Sequence, residues 1–316
     1  MIEVSHLEKV YGGEAAVDGM SFEVEEGEVF GVLGPNGAGK TTTIGMLSTL
    51  RTPTSGSATV NGYDLDSEED EVRNSIGIVF QETALDDWLT GRENLDFHAR
   101  MHDIEKSERE ERMEEMLELV DLSGDADRQV EDYSGGMKRR LEIARGLMQE
   151  PEVLFLDEPT LGLDAETRRD IWDYIRDLNR RENTTVVLTT HYMEEADYLC
   201  DRVAVMREGE IAALDTPENL KSGLGGDIVT VELEDTREGV EDSIREMGWV
   251  GSVERDDLTL SIKGEAAEEH LAELVELVND LDIGIESINL RKPSLEDVFL
   301  HLTGNRLEAR EGLEGG

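Results

Sequence analysis

Along the first part of the chain, segments with the hydrophobic pattern of β-strands alternate with segments that have the pattern of α-helices. Short apolar or alternating runs of strand length are separated by charged segments in which apolar residues recur every three or four positions. The predicted strands cover residues 2–10, 21–25, 28–33, 58–62, 76–80, 153–156 and 185–189. The predicted helices cover residues 91–101, 107–119, 135–149 and 165–181, and a further helix starts near residue 40. Strands that alternate with helices predict an α/β fold with a mostly parallel sheet covered by helices.

The pattern changes between residues 216 and 226, where Pro, Gly and Ser mark a boundary. Beyond it, predicted strands at 227–234, 249–254, 258–263 and 284–290 are interleaved with predicted helices at 237–247 and 265–281. This β-α-β-β-α-β order predicts a small α+β domain of the ferredoxin-like type. A capping box at Ser294 predicts a last helix through Leu302.

The expected domains follow from these two patterns. We expect a first domain at 1–220 with a helical subdomain at about 82–150, and a second, accessory α+β domain at 226–303. The segment 304–316 is acidic and rich in glycine, so we expect a mobile tail.

The composition fits packed domains rather than a membrane protein. Of the 316 residues 38% are hydrophobic, and the longest apolar runs, at 29–33, 153–156 and 186–188, are far shorter than the roughly 20 residues that a transmembrane helix needs. The N-terminus has neither a basic start nor an apolar core, so we expect no secretory signal and a cytoplasmic location. The single cysteine, Cys200, excludes an internal disulfide or a multi-cysteine zinc site, and we expect it to be a buried packing residue.

The formal charge of −45 is extreme for a chain of this size. Such a chain repels itself at low salt, whereas at about 1 M salt the Debye length falls to about 3 Å and the repulsion is screened. We interpret the charge as adaptation to a very salty cytoplasm; the alternative is an acidic protein from an ordinary cytoplasm. The absence of basic patches argues against a nucleic-acid partner. Arg is used rather than Lys at several positions expected on the surface, namely Arg109, Arg112, Arg168, Arg169, Arg180 and Arg181.

A glycine-rich loop between a predicted buried strand and a predicted helix carries the first chemical signal. Residues 34–41 read Gly-Pro-Asn-Gly-Ala-Gly-Lys-Thr, a pattern whose backbone N–H groups and following helix dipole bind the phosphates of a nucleoside triphosphate. We expect Lys40 to neutralise the β- and γ-phosphates, the Thr41 hydroxyl to bind Mg²⁺, and Thr42 to lie close to the α-phosphate. The other predicted nucleotide contacts in the loop are Gly34, Asn36, Gly37 and Gly39.

Further motifs follow in a fixed order along the chain. Asp157 directly follows the apolar run 153–156, and a carboxylate at the end of a buried strand is placed to hold the metal. Glu158 and Pro159 come next. The other members of the series are Gln81, the Ser-Gly-Gly segment at Ser134, Gly135 and Gly136, then Asp164 and His191. Together with the glycine-rich loop, this series resembles the nucleotide-binding subunit of ATP-binding cassette (ABC) transporters. The resemblance covers about residues 1–220 and implies a P-loop NTPase fold of the ABC type with ATP and Mg²⁺ as ligands.

Finer motifs resemble one branch of that family. The segment Tyr133-Ser134-Gly135-Gly136-Met137 carries Tyr and Met where the commonest form of the family motif has Leu and Gln. With the segments 50–56, 89–95 and 293–299, it resembles the daunorubicin-resistance branch of ABC ATPases, which energise exporters of drugs, lipids or polysaccharides. The branch resemblance extends to the last predicted helix.

The family resemblance implies roles for the single residues. Glu158 polarises the attacking water as general base, and His191 orients that water and the γ-phosphate. Gln81 belongs to a loop whose glutamine side chain reaches the metal. Tyr11, at the end of the first predicted strand, matches the aromatic residue that stacks on adenine, a contact of about 1 kcal/mol.

The Ser-Gly-Gly segment points to a dimer. Ser134, Gly135 and Gly136 open a helix whose N-terminus attracts an anion, yet the chain's own phosphate loop already covers one phosphate face. The resemblance resolves this by head-to-tail pairing, in which the segment of one subunit completes the ATP site of the other and Asp164 bridges the two.

One main hypothesis and two alternatives follow from these motifs. In the main hypothesis the chain is the ATP-hydrolysing subunit of an exporter, attached to the inner face of the membrane through a separate permease. Two bound ATP molecules close the dimer, hydrolysis opens it, and the segment 82–101 passes the motion to the permease. The alternatives are a soluble ABC ATPase that takes no part in transport, and a cassette that is controlled by a ligand of the C-terminal domain.

Overall fold

The computed structural model describes residues 1–303 except residues 236 and 238. The predicted tail at 304–316 lies outside the described residues. The chain divides into two compact units, of which the first ends at Pro217 and the second starts at Glu218. Each unit has its own apolar core.

The first unit contains most of the helices and strands. Its strands are β1 Ile2–Tyr11, β2 Glu14–Val24, β3 Val29–Leu33, β4 Ser55–Val60, β5 Tyr63–Asp64, β6 Ile76–Val79, β7 Val153–Asp157, β8 Thr185–Thr190, β9 Arg202–Arg207 and β10 Glu210–Asp215. Its helices are α1 Lys40–Leu47, α2 Glu69–Ser75, α3 Gly91–Met101, α4 Lys106–Leu119, α5 Gly135–Leu147, α6 Ala165–Glu182 and α7 Met193–Leu199, with a 3-10 turn at Val130–Asp132.

A six-stranded sheet forms the centre of this unit, in the order β10-β9-β3-β8-β7-β6. All neighbouring pairs are parallel except β10 with β9. Strands β3, β7 and β8 are buried along their whole length, which fits apolar runs without alternation. Their register pairs Leu33 with Thr190 and Asp157 with Thr189, so their carboxyl ends meet at one edge. The predicted α/β fold with a mostly parallel sheet is confirmed.

A second sheet of four antiparallel strands, in the order β2-β1-β4-β5, encloses the main core. Phe22 of β2 and Phe30 of β3 stack with ring centroids 5.2 Å apart, which joins the two sheets. Cys200 is buried and free, as predicted. The sequence pattern did not predict the hairpin β9–β10 or the short helices α2 and α7.

Between β6 and β7 the chain is helical. Helix α3 begins at a capping box in which the Thr90 hydroxyl accepts from the Glu93 N–H and the Glu93 carboxylate accepts from the Thr90 N–H. Leu95, Leu117 and Leu141 belong to one apolar cluster shared by α3, α4 and α5. The two helices α3 and α4 were predicted within one residue of their observed ends.

The expected surface position of Arg109 is wrong. Arg109 is only 9% exposed, because it lies on the buried face of α4 with Met113 and Leu117, at spacings of four residues. Its Nε lies 2.7 Å from Asp96 Oδ1 on α3, so the charge is paired where it is buried.

The second unit has the predicted order of strands and helices. After α8 Pro217–Ser222 at the division, it contains β11 Asp227–Leu233, α9 Val240–Arg245, β12 Val250–Asp256, β13 Thr259–Gly264, α10 Ala267–Asp280, β14 Ile285–Arg291 and α11 Leu295–Thr303. The antiparallel sheet order β12-β13-β11-β14 is that of a ferredoxin-like domain. Helix α9 is shorter than predicted because Gly239 adopts a left-handed backbone, with φ +91°, and starts the helix there.

None of the helices in the described part of the chain combines the length and the apolar character needed to cross a membrane.

Candidate functional site

The glycine-rich loop connects β3 to α1 at the carboxyl edge of the central sheet. Gly39 adopts φ +103°, and a Cβ there would collide with the Ala16 carbonyl oxygen, so only glycine fits. Lys40 opens α1 and is almost fully buried, and its Nζ donates to the Gly34 carbonyl at 2.9 Å and to the Pro35 carbonyl at 3.2 Å. The loop therefore encloses its own cation beside the N-terminus of α1, an arrangement that attracts phosphate.

Hydroxyl and carboxylate oxygens meet beside the loop. The Thr41 hydroxyl donates to Asp157 Oδ1 at 3.2 Å, and the buried Thr189 hydroxyl donates to the same oxygen. Asp157 is buried at the end of β7, so β3, β7 and β8 together position this group. Thr42 is half-buried one residue further along α1, whereas Asn36 and Gly37 are exposed at the tip of the loop.

Glu158 lies at the centre of the site, between two basic side chains. Its Oε1 is 3.2 Å from Lys40 Nζ and its Oε2 is 3.3 Å from His191 Nδ1. Burial by itself raises the pKa of a carboxyl group, but the hydrogen bond and charge of His191 and the charge of Lys40 outweigh it and hold the pKa of Glu158 below its ordinary value. Glu158 is therefore ionised at neutral pH, as a proton acceptor has to be.

The backbone of Glu158 is strained. It adopts φ +47°, in the left-handed region that side chains other than Gly and Asn rarely occupy, at a cost of roughly 1 to 3 kcal/mol. Its N–H donates both to the Thr189 carbonyl at 3.1 Å and to the Thr189 hydroxyl at 3.0 Å. Thr189 thus contacts both acidic residues: its hydroxyl donates to Asp157, and its hydroxyl and carbonyl both accept from the Glu158 N–H.

Tyr11 ends β1 and is 43% exposed. Its hydroxyl accepts a hydrogen bond of 2.7 Å from Arg51 Nη1, and Lys9 Nζ lies 5.2 Å from the ring centroid. Two cations thus border an exposed aromatic ring that is able to stack on a planar base.

The Ser-Gly-Gly segment forms the N-terminus of α5. The exposed Ser134 is the N-cap residue, and its hydroxyl accepts from the Met137 N–H at 3.2 Å. Gly136 is buried against α6, where a Cβ would collide with the Thr167 methyl group. A Cβ at Gly135 would lie 3.2 Å from Leu163. The segment therefore packs on the chain that begins α6.

Asp164 is the N-cap residue of α6. Its Oδ1 accepts from the Glu166 and Thr167 N–H groups, and its Oδ2 accepts from the Thr167 hydroxyl at 2.6 Å. The Thr167 hydrogen bonds lower the pKa of Asp164. The exposed Asp164 carboxylate is thus fixed by its own helix.

The structure brings only part of the predicted set together. Thr41 contacts Asp157, and Lys40 and His191 contact Glu158; Thr189 joins these two groups into one cluster. Among the described residues, no hydrogen bond joins Tyr11, Gln81, Ser134 or Asp164 to that cluster. Gln81 is exposed two residues after β6.

Two residues of the site were missed by the sequence pattern. Thr189 lies in the segment used to place His191, but β-branched residues are common in buried strands and gave no separate signal. Arg139 is buried on α5, and its guanidinium donates to the backbone on both sides of Glu158. A signal did exist for Arg139, because Glu142 three residues later and the apolar residues around them mark one buried helix face.

Comparisons with known proteins agree with this geometry. Residues 17–161 match the ABC transporter family, and residues 216–303 match the C-terminal domain of ATP-binding proteins like DrrA1-3. The daunorubicin resistance ATP-binding protein DrrA3 of Streptomyces coeruleorubidus is 43% identical, with 98% of each chain covered. The linearmycin resistance ATP-binding protein LnrL of Bacillus subtilis is 41% identical, with 97% of this chain and 99% of that protein covered.

Solved structures show the same fold. The protein cbiO1 of Clostridium perfringens, part of the ABC transporter complex cbiONQ, has a TM-score of 0.66 and 29% identity over 70% of this chain and 90% of that one. An ATP-binding cassette solved as a dimer in a post-hydrolysis state, bound to ADP and Pi, has a TM-score of 0.61 and 28% identity over 68% of this chain and 98% of that one. The chain therefore belongs to the ATP-binding proteins of the ABC transporter family, is related over nearly its whole length to the DrrA-type proteins, and is an ATP-binding ATPase.

Proposed function

We propose that this chain is the ATPase subunit of an exporter whose membrane-spanning part is a separate permease. Both units of the chain match the same branch, which includes the daunorubicin and linearmycin resistance proteins named above, and this double match carries the proposal. We propose a substrate from the drug, lipid or polysaccharide classes. The chain works at the inner face of the cell membrane, held there by the permease, without nucleic acid as a partner.

The donor set beside the glycine-rich loop fits Mg²⁺. Thr41 supplies a hydroxyl and Asp157 a carboxylate 3.2 Å away, and hard oxygen ligands are those that Mg²⁺ prefers. These two residues, with Gln81 joining from its loop, would hold the ion. Bound there, Mg²⁺ would supply positive charge that offsets the charge of the phosphates. Lys40 contacts the β- and γ-phosphates, and Thr42 and the loop N–H groups of Gly34, Asn36, Gly37 and Gly39 complete the cradle.

Glu158 is the general base of the proposed reaction. It accepts the proton of the attacking water, and its depressed pKa keeps it ionised for that task. His191, next to the same carboxylate, orients the water and the γ-phosphate. Tyr11 stacks on the adenine ring.

The exposed Ser134 and its two glycines act on a second subunit. The N-terminus of α5 exposes Ser134 and Gly135 to solvent, and no hydrogen bond of the described residues joins Ser134 to the glycine-rich loop, which favours the ATP of a partner subunit as the ligand. We propose a head-to-tail dimer that closes on two ATP molecules and opens after hydrolysis, with Asp164 bridging the subunits. The segment 82–101 contacts the permease and passes on the motion.

The strong negative charge sets the working conditions of this subunit. A formal charge of −45 favours a cytoplasm of molar salt, where repulsion between carboxylates is screened. Circular dichroism and gel filtration at about 2 M and about 0.1 M KCl test this point. Loss of the folded form at low salt is expected, and an equally folded chain at both concentrations would remove the argument.

Affinity isolation tests the transporter assignment directly. The tagged chain is recovered from detergent-solubilised native membranes in molar KCl, and the proteins that accompany it are identified by mass spectrometry. A stoichiometric polytopic membrane protein is expected. Recovery only from the soluble fraction, alone or with ribosomes or DNA-processing proteins, would instead support an ABC ATPase that takes no part in transport.

A further inference from the structure

Arg139, which the sequence analysis did not assign to the site, donates several hydrogen bonds to segments that form it. It lies on the buried face of α5 and is 7% exposed. Its Nε donates to the Pro159 carbonyl at 2.6 Å, and its Nη2 donates to the Asp157 carbonyl at 3.1 Å. Its Nη1 donates to the Phe80 carbonyl at 2.6 Å and to Glu142 Oε2 at 2.9 Å. One guanidinium thus joins α5 to two other segments of the chain.

The bonds to Asp157 and Pro159 enclose Glu158. Both carbonyls flank the residue whose backbone has the left-handed φ of +47°. A conformation of this kind persists only where its surroundings fix it. Thr189 fixes the N–H of Glu158, and Arg139 fixes the carbonyls on either side. The planar fork of a guanidinium suits this task, because it directs several donors at fixed angles.

Glu142 extends the contact to the segment that carries Gln81. Its Oε1 accepts from the Ala84 N–H at 2.7 Å, while its Oε2 pairs with Arg139. The Phe80 carbonyl before Gln81 is bound by Arg139, so the ion pair holds the backbone on both sides of Gln81. Gln81 has an exposed side chain, yet its loop is tied to a helix at both ends.

Burying the ion pair of Arg139 and Glu142 costs free energy, so its role has to be sought in the contacts that it makes. Glu142 is 1% exposed, and desolvation lowers the pKa of Arg139. A buried ion pair contributes little stability in comparison with apolar side chains of the same volume. Its benefit here is the four backbone groups that it satisfies, at Phe80, Ala84, Asp157 and Pro159.

We propose that Arg139, paired with Glu142, is a positioning residue that orients Glu158 and fixes the Gln81 segment to the same helix that presents Ser134. Because Ser134 and Arg139 lie on one short helix, a shift of α5 when its N-terminus meets a nucleotide moves the carbonyls around Glu158. Occupancy of one ATP site is thereby linked to the orientation of the base in the other. The inference rests on the proposed function for the roles of Glu158, Gln81 and Ser134.

The test compares Arg139→Met and Arg139→Lys with a matched variant on the neighbouring residue. Arg140 lies on the same helix and also donates to a backbone carbonyl, that of Val120 at 3.0 Å, but it touches neither Glu158 nor the Gln81 segment. Arg140→Met therefore removes a half-buried arginine of the same helix without affecting the proposed contacts. All variants are full-length chains at about 2 M KCl.

Hydrogen exchange of the nucleotide-free chain is the first readout. Arg139→Met is expected to speed exchange in peptides covering residues 78–86 and 155–163, whereas Arg140→Met leaves both peptides as in the wild type. Arg139→Lys keeps a buried cation and is expected to lie between the two. If Arg139→Met does not fold, Arg139→Lys carries the comparison. Unchanged exchange in both peptides for every folded Arg139 variant would overturn the proposal, whether or not the chain hydrolyses ATP.

Kinetics is the second readout. A displaced Glu158 is expected to lower kcat by about 10- to 100-fold in Arg139→Met, with little change in the KM for ATP. A purely structural loss would instead lower the active fraction and the melting temperature together, and kcat per folded molecule would equal that of Arg140→Met. That result would overturn the inference about Arg139. A wild-type chain without ATPase activity would instead count against the proposed function, and hydrogen exchange alone would then test the role of Arg139.

Discussion

The two units of the molecule treat charge in opposite ways. In the first unit, five ionisable side chains at or next to the site are buried: Lys40, Arg139, Glu142, Asp157 and Glu158. In the described part of the second unit, every buried side chain is apolar, and the ion pairs involve partly or fully exposed groups. Three more, Glu28, Arg109 and Glu195, are buried elsewhere in the first unit, so the burial of charge, which is costly, is concentrated in the unit that holds the site. The comparison assigns the reaction to the first unit and gives the second an ordinary apolar core.

Replacing Glu158, the proposed base in the first unit, should have the largest effect. Glu158→Gln removes the proton acceptor and keeps the shape of the side chain, so we expect kcat to fall by about 10²- to 10⁴-fold while ATP binding persists. Light scattering should then show a stable ATP-bound dimer. Glu152→Gln, exposed just before the opposite end of β7, is the matched control. Normal turnover in Glu158→Gln would remove this residue as the base.

A cavity in the core of the second unit should separate stability from chemistry. Leu260 on β13 is fully buried, and Leu260→Ala should cost that unit about 2 to 5 kcal/mol. Hydrogen exchange along β11 and β13 reports the loss, with Thr259→Ala on the other face of the strand as control. The kcat of the folded chain should not change. An ATPase rate that falls with Leu260→Ala but not with Thr259→Ala would contradict the division of roles.

A partly buried carboxylate in the second unit, Asp297, gives a smaller effect that depends on pH. Asp297 accepts from Arg291 and from the Ser294 N–H and hydroxyl, and these contacts outweigh burial and lower the pKa of Asp297 to about 2. Because the folded pKa is below the unfolded one, the stabilisation is complete above about pH 4 and is lost as the pH falls towards 2.

Asp297→Asn should therefore destabilise the second unit at pH 7 by about 1 to 2 kcal/mol, a value reduced for the solvent exposure of Arg291. Denaturant titrations at pH 7 and near pH 2 measure the difference, with the exposed Glu296→Gln as control. A destabilisation of equal size at both pH values would mean that packing, and not charge, is responsible.

The smallest effect is expected at the exposed border of the first unit. Tyr11→Leu removes the aromatic ring and should raise the Kd for ATP by about 5-fold, since stacking is worth about 1 kcal/mol. Tyr11→Phe loses only the hydrogen bond with Arg51 and should bind nearly as the wild type does. Equal affinity in Tyr11→Leu and the wild type would show that adenine does not stack there.

The sequence predicted those parts of the molecule that depend on local chemistry. Helix α3 has a capping box, α3 and α4 have periodic apolar faces, and the strands β3, β7 and β8 are apolar runs, so their positions could be predicted. The cluster of Lys40, Glu158 and His191 followed from motifs at the ends of those strands. The helix and strand positions required only neighbouring residues, whereas the roles of Glu158 and His191 were taken from the family resemblance.

The remaining features depend on contacts between distant segments. Arg109 was assigned to the surface because a charged residue among glutamates gives no local sign that another helix covers it. Arg139 contacts residues 59 and 20 positions away, which no pattern on α5 reveals. The bounds of α9 differ because one glycine adopts a left-handed backbone. Tertiary packing decided the first two, and a local backbone conformation decided the third.

The tight packing of Gly136 on Thr167 affects how mutant alleles are interpreted. A Cβ at Gly136 collides inside the subunit itself, so alleles that replace this glycine disturb the folded chain before any second subunit is present. Their phenotype in a genetic selection would therefore not diagnose a defect between subunits. Ser134 is exposed, and its substitution leaves that packing intact. Suppressor screens aimed at the contact between subunits should start from Ser134 alleles.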